Sequence, residues 1–324
     1  MKHTLRTAAA VALASLLCAN ASAKIVTIEI PGASSVTPLS INDKGQVTGY
    51  YDTFERRHGF LWQPGGTFTT FDVTGADKTS PAGISAAGVI AGAFSGTDQD
   101  GGFVRAADGT ITTFSVPNGL VTQPLGTNRK GWIAGTYSRG RHHPYLGFLR
   151  SPSGATTEFS VPGATGSFAM AVNRSQTIAG ETTIQGPYQG FVRSVDGTIT
   201  VFGDPDFYTN VTGINDAGTI VGWYGEGGDA FFRTSDGTIT TFLGPNGSIV
   251  ALAWAINNSG TIVGQYEDGS NTYHGLLRAA DGTFTSFDVK GAVYTEIRTI
   301  NDKGGIAGRY MNKDGSFLGF AGKP

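Results

Sequence analysis

Short apolar segments in which buried and exposed positions alternate run through the chain from residue 24 onward. In the stretch AWAINNSGTIVGQY and the following HGLLRAADGTFTSFDV, four such segments are separated by turns rich in Asn, Asp and Gly. Alternation with a period of two is typical of strands with one buried face, and Gly and Asn tolerate the positive φ of tight hairpin turns. The pattern predicts four short strands per repeat and no helix.

The four-strand pattern recurs seven times, each time around a turn similar to Asn-Asp-x-Gly. These turns end at residues 45, 88, 131, 176, 218, 260 and 304, which are 42 to 45 residues apart. Repeats of about 40 to 45 residues with four strands each are typical of β-propeller blades. The sequence therefore predicts an all-β fold, a seven-bladed β-propeller of four-stranded blades, formed by residues 24–324 as a single domain.

The two ends of this region complement each other. The seventh repeat stops at FLGFAGKP without a fourth strand, whereas residues 24–33, KIVTIEIPGA, match the fourth strand of the third repeat, TTEFSVPGA. An unpaired strand edge can pair with another chain and cause aggregation, and a strand that covers this edge prevents such pairing. We therefore predict that the N-terminal strand pairs into the last blade and closes the ring.

Residues 1–23 have the pattern of a secretory signal peptide: a basic start, an apolar stretch and the small-residue end Ala21-Ser22-Ala23. Cleavage near Ala23 predicts a secreted or periplasmic bacterial protein. The single cysteine, Cys18, lies in this segment, so the mature chain is predicted to have no disulfide and no thiolate site. No later stretch approaches the ~20 apolar residues that a membrane span needs.

The charge of the mature chain gives no indication of a nucleic-acid partner. It has 21 Lys and Arg against 25 Asp and Glu, a net charge of −4, and no basic run. Neither a nucleophile elbow, nor an HExxH helix, nor a phosphate-binding loop is present. The sequence predicts no cofactor and no metal site.

A second motif follows the turn in each repeat. The pattern N..G.I.G precedes a His-Ala-Phe-like triplet, seen as His58-Gly59-Phe60, Asp229-Ala230-Phe231 and His274-Gly275-Leu276. In this the chain resembles the HAF-repeat family of bacterial extracellular proteins over nearly all of its mature length, although only His58 and His274 keep the histidine. The resemblance implies export and a repeat architecture, not a reaction.

Two regular features are predicted to be scaffold. An aromatic residue two positions after a glycine recurs in the second strand, as in Gly49-x-Tyr51, and is expected to pack between blades, with stacking on sugar as the alternative. A Phe-x-Arg motif recurs in the third strand, as in Phe103-x-Arg105. We expect its arginine to pair with the aspartate of the next Asp-Gly turn, such as Asp108.

The loops between second and third strands vary in length and chemistry, and strand directions place them on one face of the molecule. Variable loops on a rigid frame are where scaffolds present binding sites. The first hypothesis is therefore a binding module for an extracellular carbohydrate or protein on this face. Its candidate ligand-binding residues are Tyr145, Tyr188, Tyr273, Asp229 and Asp268.

Two alternatives remain open. In a polysaccharide lyase or hydrolase, His58, His143 or His274 would act as the base, and Arg57 or Arg141 would neutralise a uronate carboxylate. A structural envelope or matrix protein would need no pocket.

Overall fold

A computed structural model describes residues 24–97, 99–140, 142–184, 186–204, 206–225, 228–245, 248 and 250–324. The predicted signal peptide lies outside the described residues. Those residues form 28 strands and no helix, so none of them belongs to a helix that could cross a bilayer. The all-β prediction is confirmed.

The strands group into seven units of four, which we number along the chain. Unit 1 comprises β2 (Ser35–Ile41), β3 (Val47–Asp52), β4 (Arg57–Trp62) and β5 (Phe68–Phe71). Unit 2 comprises β6 (Lys78–Ile84), β7 (Ile90–Ser95), β8 (Asp100–Arg105) and β9 (Ile111–Phe114). Unit 3 comprises β10 (Val121–Thr127), β11 (Ile133–Ser138), β12 (Tyr145–Arg150) and β13 (Thr156–Phe159). Unit 4 comprises β14 (Gly166–Val172), β15 (Ile178–Thr183), β16 (Gln189–Arg193) and β17 (Ile199–Phe202). Unit 5 comprises β18 (Thr209–Ile214), β19 (Ile220–Tyr224), β20 (Asp229–Arg233) and β21 (Ile239–Phe242). Unit 6 comprises β22 (Val250–Ile256), β23 (Ile262–Glu267), β24 (Tyr273–Arg278) and β25 (Phe284–Phe287). Unit 7 comprises β26 (Tyr294–Ile300), β27 (Ile306–Met311), β28 (Phe317–Lys323) and the N-terminal strand β1 (Lys24–Ile28).

Strands that follow one another within a unit pair antiparallel, and the first strand of the chain completes the last unit. β1 pairs antiparallel with β28 from Lys24 opposite Lys323 to Ile28 opposite Gly319. On its other side, β28 pairs antiparallel with β27. Just beyond the end of β1, on the same edge of β28, a parallel bridge joins Phe317 to Ser35 of β2. The predicted pairing of the N-terminal strand with the last repeat is therefore present.

The asparagine that begins six of the seven turn motifs, all but that of unit 2, which has Ser85, both shapes the turn and joins neighbouring units. In unit 1, Asn42 Oδ1 accepts hydrogen bonds from the backbone N of Lys44 at 3.0 Å and of Gln46 at 3.1 Å. Asn42 Nδ2 donates to the carbonyl oxygen of Ser85 in unit 2 at 3.1 Å. Equivalent bonds to the next unit run from Asn128 to Asn173, Asn173 to Asn215, Asn215 to Asn257, Asn257 to Asn301, and Asn301 to Asn42. The motif predicted as a turn is thus also an inter-unit clasp.

The aromatic residues of the second strands are packed between units, as predicted. Tyr51 is 9% exposed and belongs to a cluster with Ile28 and Ala321 of unit 7. Tyr310 is equally inaccessible and packs with Val263 of unit 6. Burial rules out stacking on a bound sugar for Tyr51, Phe94, Tyr137, Tyr266 and Tyr310, whereas Tyr224 of unit 5 is only partly buried.

The arginines of the Phe-x-Arg motif contact aromatic rings instead of the predicted carboxylates. The Arg105 guanidinium lies over the Phe71 ring of unit 1, 5.0 Å from its centroid. The same contact joins Arg150 to Phe114, Arg193 to Phe159 and Arg233 to Phe202. No ion pair among the described residues joins these arginines to an Asp-Gly turn. The expected pairing is wrong for two reasons. Arg105 lies on the same strand face as Phe103, so its side chain is directed toward the preceding unit. Asp108 accepts a hydrogen bond from Thr110 N within its own turn.

Candidate functional site

All seven units line one cavity, of about 570 Å³, which we call the central cavity. Its wall includes Lys78 and Val121, the first residues of β6 and β10, and Ser95, the last residue of β7. These strand ends adjoin the variable loops, so the cavity lies toward the face where the sequence placed a binding site.

A β-bulge in the first strand of each unit supplies the side chains of this cavity. In unit 1, the register between β2 and β3 shifts between Pro38 and Ser40, and the skipped residue, Leu39, lines the cavity. The glycine of the second strand makes the bulge possible, because a Cβ on Gly49 would lie 2.1 Å from the Thr37 carbonyl oxygen. The seven bulge residues are Leu39, Ala82, Leu125, Met170, Thr212, Trp254 and Arg298.

The repeat pattern did not predict that these seven positions as a set line a cavity, although a signal for them exists. Each lies three positions before the first residue of the turn motif, and chemistry varies there while the flanking residues repeat. Only the bulge, which is not visible in the sequence, turns this position toward the cavity.

The unit 7 wall of the cavity is charged. The Arg298 guanidinium lies over the Trp254 ring, 4.1 Å from its centroid. Arg298 also forms an ion pair with Glu296, whose side chain is 1% exposed and which binds a second arginine, Arg309, at 2.7 Å. Burial acts to lower the pKa of Arg309, but the Glu296 carboxylate outweighs it and raises that pKa. Two arginines share one carboxylate, so this wall carries a net positive charge.

Aromatic side chains form a row across units 3, 4 and 5, which we call the aromatic row. The ring centroids of Tyr145 and Phe168 are 5.5 Å apart, those of Phe168 and Tyr188 are 5.8 Å apart, and those of Tyr188 and Tyr208 are 6.0 Å apart. Tyr145 is 37% exposed and Tyr208 is 44% exposed. Phe168 precedes the cavity residue Met170 by two positions in β14. The structure thus brings two predicted ligand-binding tyrosines together through a residue that the sequence analysis did not select.

The third predicted tyrosine belongs to a separate aromatic group. Tyr273 lies 5.5 Å from Tyr294, whose ring lies 5.8 Å from Phe317. The Tyr294 hydroxyl donates to Glu296 Oε2 at 2.5 Å and lies 2.9 Å from Gln265 Oε1, and burial beside the Glu296 carboxylate raises the pKa of Tyr294. This group therefore lies beside the charged wall, in units 6 and 7.

Two of the three candidate catalytic histidines are held by scaffold contacts. His58 stacks on Tyr51 at 4.9 Å, and its Nδ1 lies 2.9 Å from Asp72 Oδ2. His58 Nε2 lies 3.4 Å from the hydroxyl of Thr53. With both ring nitrogens engaged, this histidine has the geometry of a clamp between strands and not of a free base.

His274 repeats this arrangement in unit 6. It stacks on Tyr266 at 5.1 Å, with Nδ1 2.9 Å from Asp288 Oδ2 and Nε2 3.3 Å from Asp268 Oδ2. Burial acts to lower the pKa of His274, but hydrogen bonds to Asp288 and Asp268 outweigh it and raise that pKa. Asp268 is further engaged by Ser270 and Thr272 of its own turn. The candidate ligand contact Asp268 is therefore part of the same clamp.

The remaining candidates do not converge. His143 is exposed in the loop before β12, where its backbone N donates to Gly140 O at 3.0 Å. Arg57 is paired with Asp52 at 2.8 Å, and Asp229 is exposed at the start of β20. Arg141 lies outside the described residues. Across the described ranges, no group of three His, Cys, Asp or Glu side chains is arranged to hold a metal ion.

One partly buried carboxyl group lies near the cavity wall and was not predicted. Glu181 of β15 accepts a hydrogen bond from the backbone N of Val211 at 2.8 Å, and Val211 immediately precedes the bulge residue Thr212. Burial raises the pKa of Glu181 from 4.5 to about 7, against the hydrogen bond from Val211, which acts to lower it. This group changes charge near neutral pH.

No protein-family model matches the sequence, and no protein of curated function does. Solved structures are similar in fold. Virginiamycin B lyase from Staphylococcus aureus has a TM-score of 0.61 and 16% identity, over 93% of this chain and 99% of the lyase. The β-propeller domain of the Trilobed protease from Pyrococcus furiosus has a TM-score of 0.61 and 10% identity, over 88% of this chain and 95% of that domain. A puromycin-hydrolyzing peptidase from Mycobacterium tuberculosis has a TM-score of 0.62 and 13% identity, over 89% of this chain and 51% of the peptidase. At these identities the likeness shows the fold alone: the chain has an all-β, propeller-like fold.

Proposed function

We propose that this protein is a binding module that holds an extracellular carbohydrate in the central cavity and against the aromatic row. The observation that carries the proposal is the set of seven bulges. They direct seven side chains of differing chemistry into one cavity, whereas the rest of each unit repeats. Variation confined to one concave surface of a uniform scaffold is typical of ligand recognition.

The architecture that we propose for this module is a closed, seven-bladed propeller formed by residues 24–324 as one domain. The pairing of β1 with β28 supports closure, and so does the hydrogen bond from Asn301 Nδ2 to the Asn42 carbonyl oxygen at 2.8 Å. Export after cleavage near Ala23 and membership of the HAF-repeat family are part of the same proposal. They are supported by the sequence of residues 1–23 and by the recurring triplet.

The chemistry of the site favours a carbohydrate with acidic groups. The exposed faces of Tyr145 and Tyr208 offer surfaces on which a sugar ring stacks. Arg298 and Lys78 supply two positive charges to the cavity lining, against one carboxylate, that of Asp100. Behind the lining, Arg298 and Arg309 share the single carboxylate of Glu296. A carboxylate-bearing sugar satisfies both features.

The enzyme alternative receives less support from the geometry. His58 and His274 lie in different units with both ring nitrogens engaged, so neither is poised to remove a proton from a substrate. A purely structural role would not explain why the seven bulge residues differ in chemistry.

The proposal is tested by binding of the purified protein to an array of neutral and acidic polysaccharides, with release of products followed in parallel. Tyr145→Ala combined with Tyr188→Ala should weaken binding about tenfold, and Arg298→Gln should weaken binding of acidic chains selectively. Phe54→Ala is the matched control, because this ring is fully exposed on a loop of the same face.

Full binding by both site variants would refute the placement of the site. Release of products by the wild-type protein would show that it is an enzyme and would refute the proposal of a binding module. Neither binding nor product release on any polysaccharide would indicate a protein partner or a structural role.

A further inference from the structure

A second cavity, of about 410 Å³, lies between units 7 and 1, where β1 completes the last unit. We call it the closure groove. Apolar side chains form its floor, and four lysines belong to its lining. The floor residues are Val26, Ile41, Trp62, Pro64 and Ala321, and the lysines are Lys24, Lys44, Lys303 and Lys323. It lies at the turn-motif ends of the strands, the opposite end from the central cavity.

Sequence differences at equivalent positions account for the groove. Trp62 of β4 occupies the place of the Phe-x-Arg arginine, which in units 2 to 6 lies over a phenylalanine of the preceding unit. Val26 of β1 replaces a threonine that each of the other six fourth strands carries, namely Thr69, Thr112, Thr157, Thr200, Thr240 and Thr285. The closing unit is therefore more apolar here than the others.

The lysines of the groove carry uncompensated charge. All four are exposed, and no ion pair in the described part of the chain engages any of them. One carboxylate, that of Asp43, also lines the groove, and it shares the Arg129 guanidinium with Asp302, so four lysines stand against one partly compensated carboxylate. The groove is thus apolar inside and positive at its edge.

Two of these lysines are placed where they repel each other. Lys24 lies directly opposite Lys323 in the pairing of β1 with β28. Like charges directly opposite in an antiparallel pair are destabilising. The equivalent positions of the other units hold uncharged pairs, for example Ser194 with Thr198 in unit 4. Repulsion is therefore confined to the strand pair that completes the last unit.

We propose that the closure groove binds an amphiphilic organic anion, a molecule with an apolar body and a carboxylate or sulfonate head, and that binding strengthens the pairing of β1 with β28. The body lies on Trp62 and Val26, and the head lies between the facing lysines Lys24 and Lys323, where its negative charge offsets their repulsion. Because binding removes a repulsion at the closing strand, the ligand stabilises the folded chain by mass action.

The test uses decanoate as the probe, with decanol as the same body without charge and sulfate as charge without a body. The protein is used without a tag next to β1 or β28, because Lys24 and Lys323 of these strands line the groove. Calorimetric titration should detect decanoate binding, and decanoate should raise the Tm. Decanol and sulfate at equal concentration should each raise it much less.

The decisive variant is Lys24→Thr with Lys323→Ser, which installs the residue pair of unit 4. It should bind decanoate at least tenfold more weakly, and without ligand it should be more stable than wild type at low salt, a difference that salt should shrink. Val26→Thr should weaken decanoate binding without changing the charge. The control is Lys130→Ser, which removes a lysine away from the groove. Lys130 lies in the turn motif of unit 3, at the position equivalent to Lys44 and Lys303.

Equal decanoate binding by the double variant would overturn the proposed site. A decanoate effect matched by decanol would overturn the role of the lysines. Unchanged stability of the ligand-free double variant at low salt would overturn the coupling to strand pairing. Because the closure groove and the central cavity lie at opposite ends of the strands, each proposal can fail without the other.

Discussion

Glu181 is expected to make the stability of this protein depend on pH between about 4.5 and 7. Burial raises the pKa of this carboxyl to about 7 in the folded chain, from 4.5 when it is free in water. Within that window the folded state therefore holds a proton that the unfolded state has lost, and stability falls as the pH rises. Above pH 7 the folded chain bears the cost of holding this partly buried side chain as a carboxylate.

The expected size of this effect follows from the pKa difference. Each unit is worth about 1.4 kcal/mol, so the rise from 4.5 to about 7 corresponds to about 3 kcal/mol. Glu181→Gln removes the ionisation, and the amide oxygen of glutamine can still accept the hydrogen bond from Val211 N. The variant should therefore be more stable than wild type at pH 8, by about 3 kcal/mol, and the difference should shrink to below about 1 kcal/mol at pH 5.

Urea unfolding followed by tryptophan fluorescence measures this difference at both pH values. Glu55→Gln, which removes a carboxyl group from an exposed loop, controls for the change in net charge. A Glu181→Gln variant with the same stability difference at pH 5 and pH 8, or one less stable than wild type at pH 8, would refute the reasoning.

Two further predictions concern the scaffold. Gly308→Ala should destabilise the fold by about 3 kcal/mol in urea unfolding, because the added Cβ would lie 2.0 Å from the Glu296 carbonyl oxygen at the bulge of unit 7. Gly269→Ala should destabilise the fold by about 0.5 kcal/mol or less, because a Cβ added there has no neighbouring atom within 4 Å. Equal destabilisation by the two variants would contradict the close approach of Gly308 to the Glu296 carbonyl oxygen. His274→Asn should destabilise the protein more at pH 6 than at pH 9. A histidine whose pKa is raised by folding stabilises the folded state fully below its unfolded pKa, and this stabilisation is lost as the pH rises through its folded pKa. The difference should be about 1 kcal/mol or less, because Asp288 is half exposed to solvent. An equal loss at both pH values would show that the imidazolium does not contribute.

The candidate site was predictable in part. Tyr145 and Tyr188 were selected from variable loops, and the structure brings them together through Phe168. The histidines were selected from the same loops, but the partner of His58 is Asp72, at the end of a strand 14 residues later. The loop position was readable in the sequence, whereas the hydrogen bonds that engage the ring were not.

The sequence by itself determined the strands, the turns, the repeat and the pairing of the N-terminal strand with the last unit. These follow from side-chain alternation, from the φ that Gly and Asn allow, and from a missing fourth strand, all of which are local properties of the chain. Only the tertiary structure decided that Arg105 lies over Phe71, that bulges turn Trp254 and Arg298 into the central cavity, and that Lys24 faces Lys323. Those contacts join residues in different units, on neighbouring strands or at opposite ends of the chain, and they depend on how sheets pack, which no local pattern encodes.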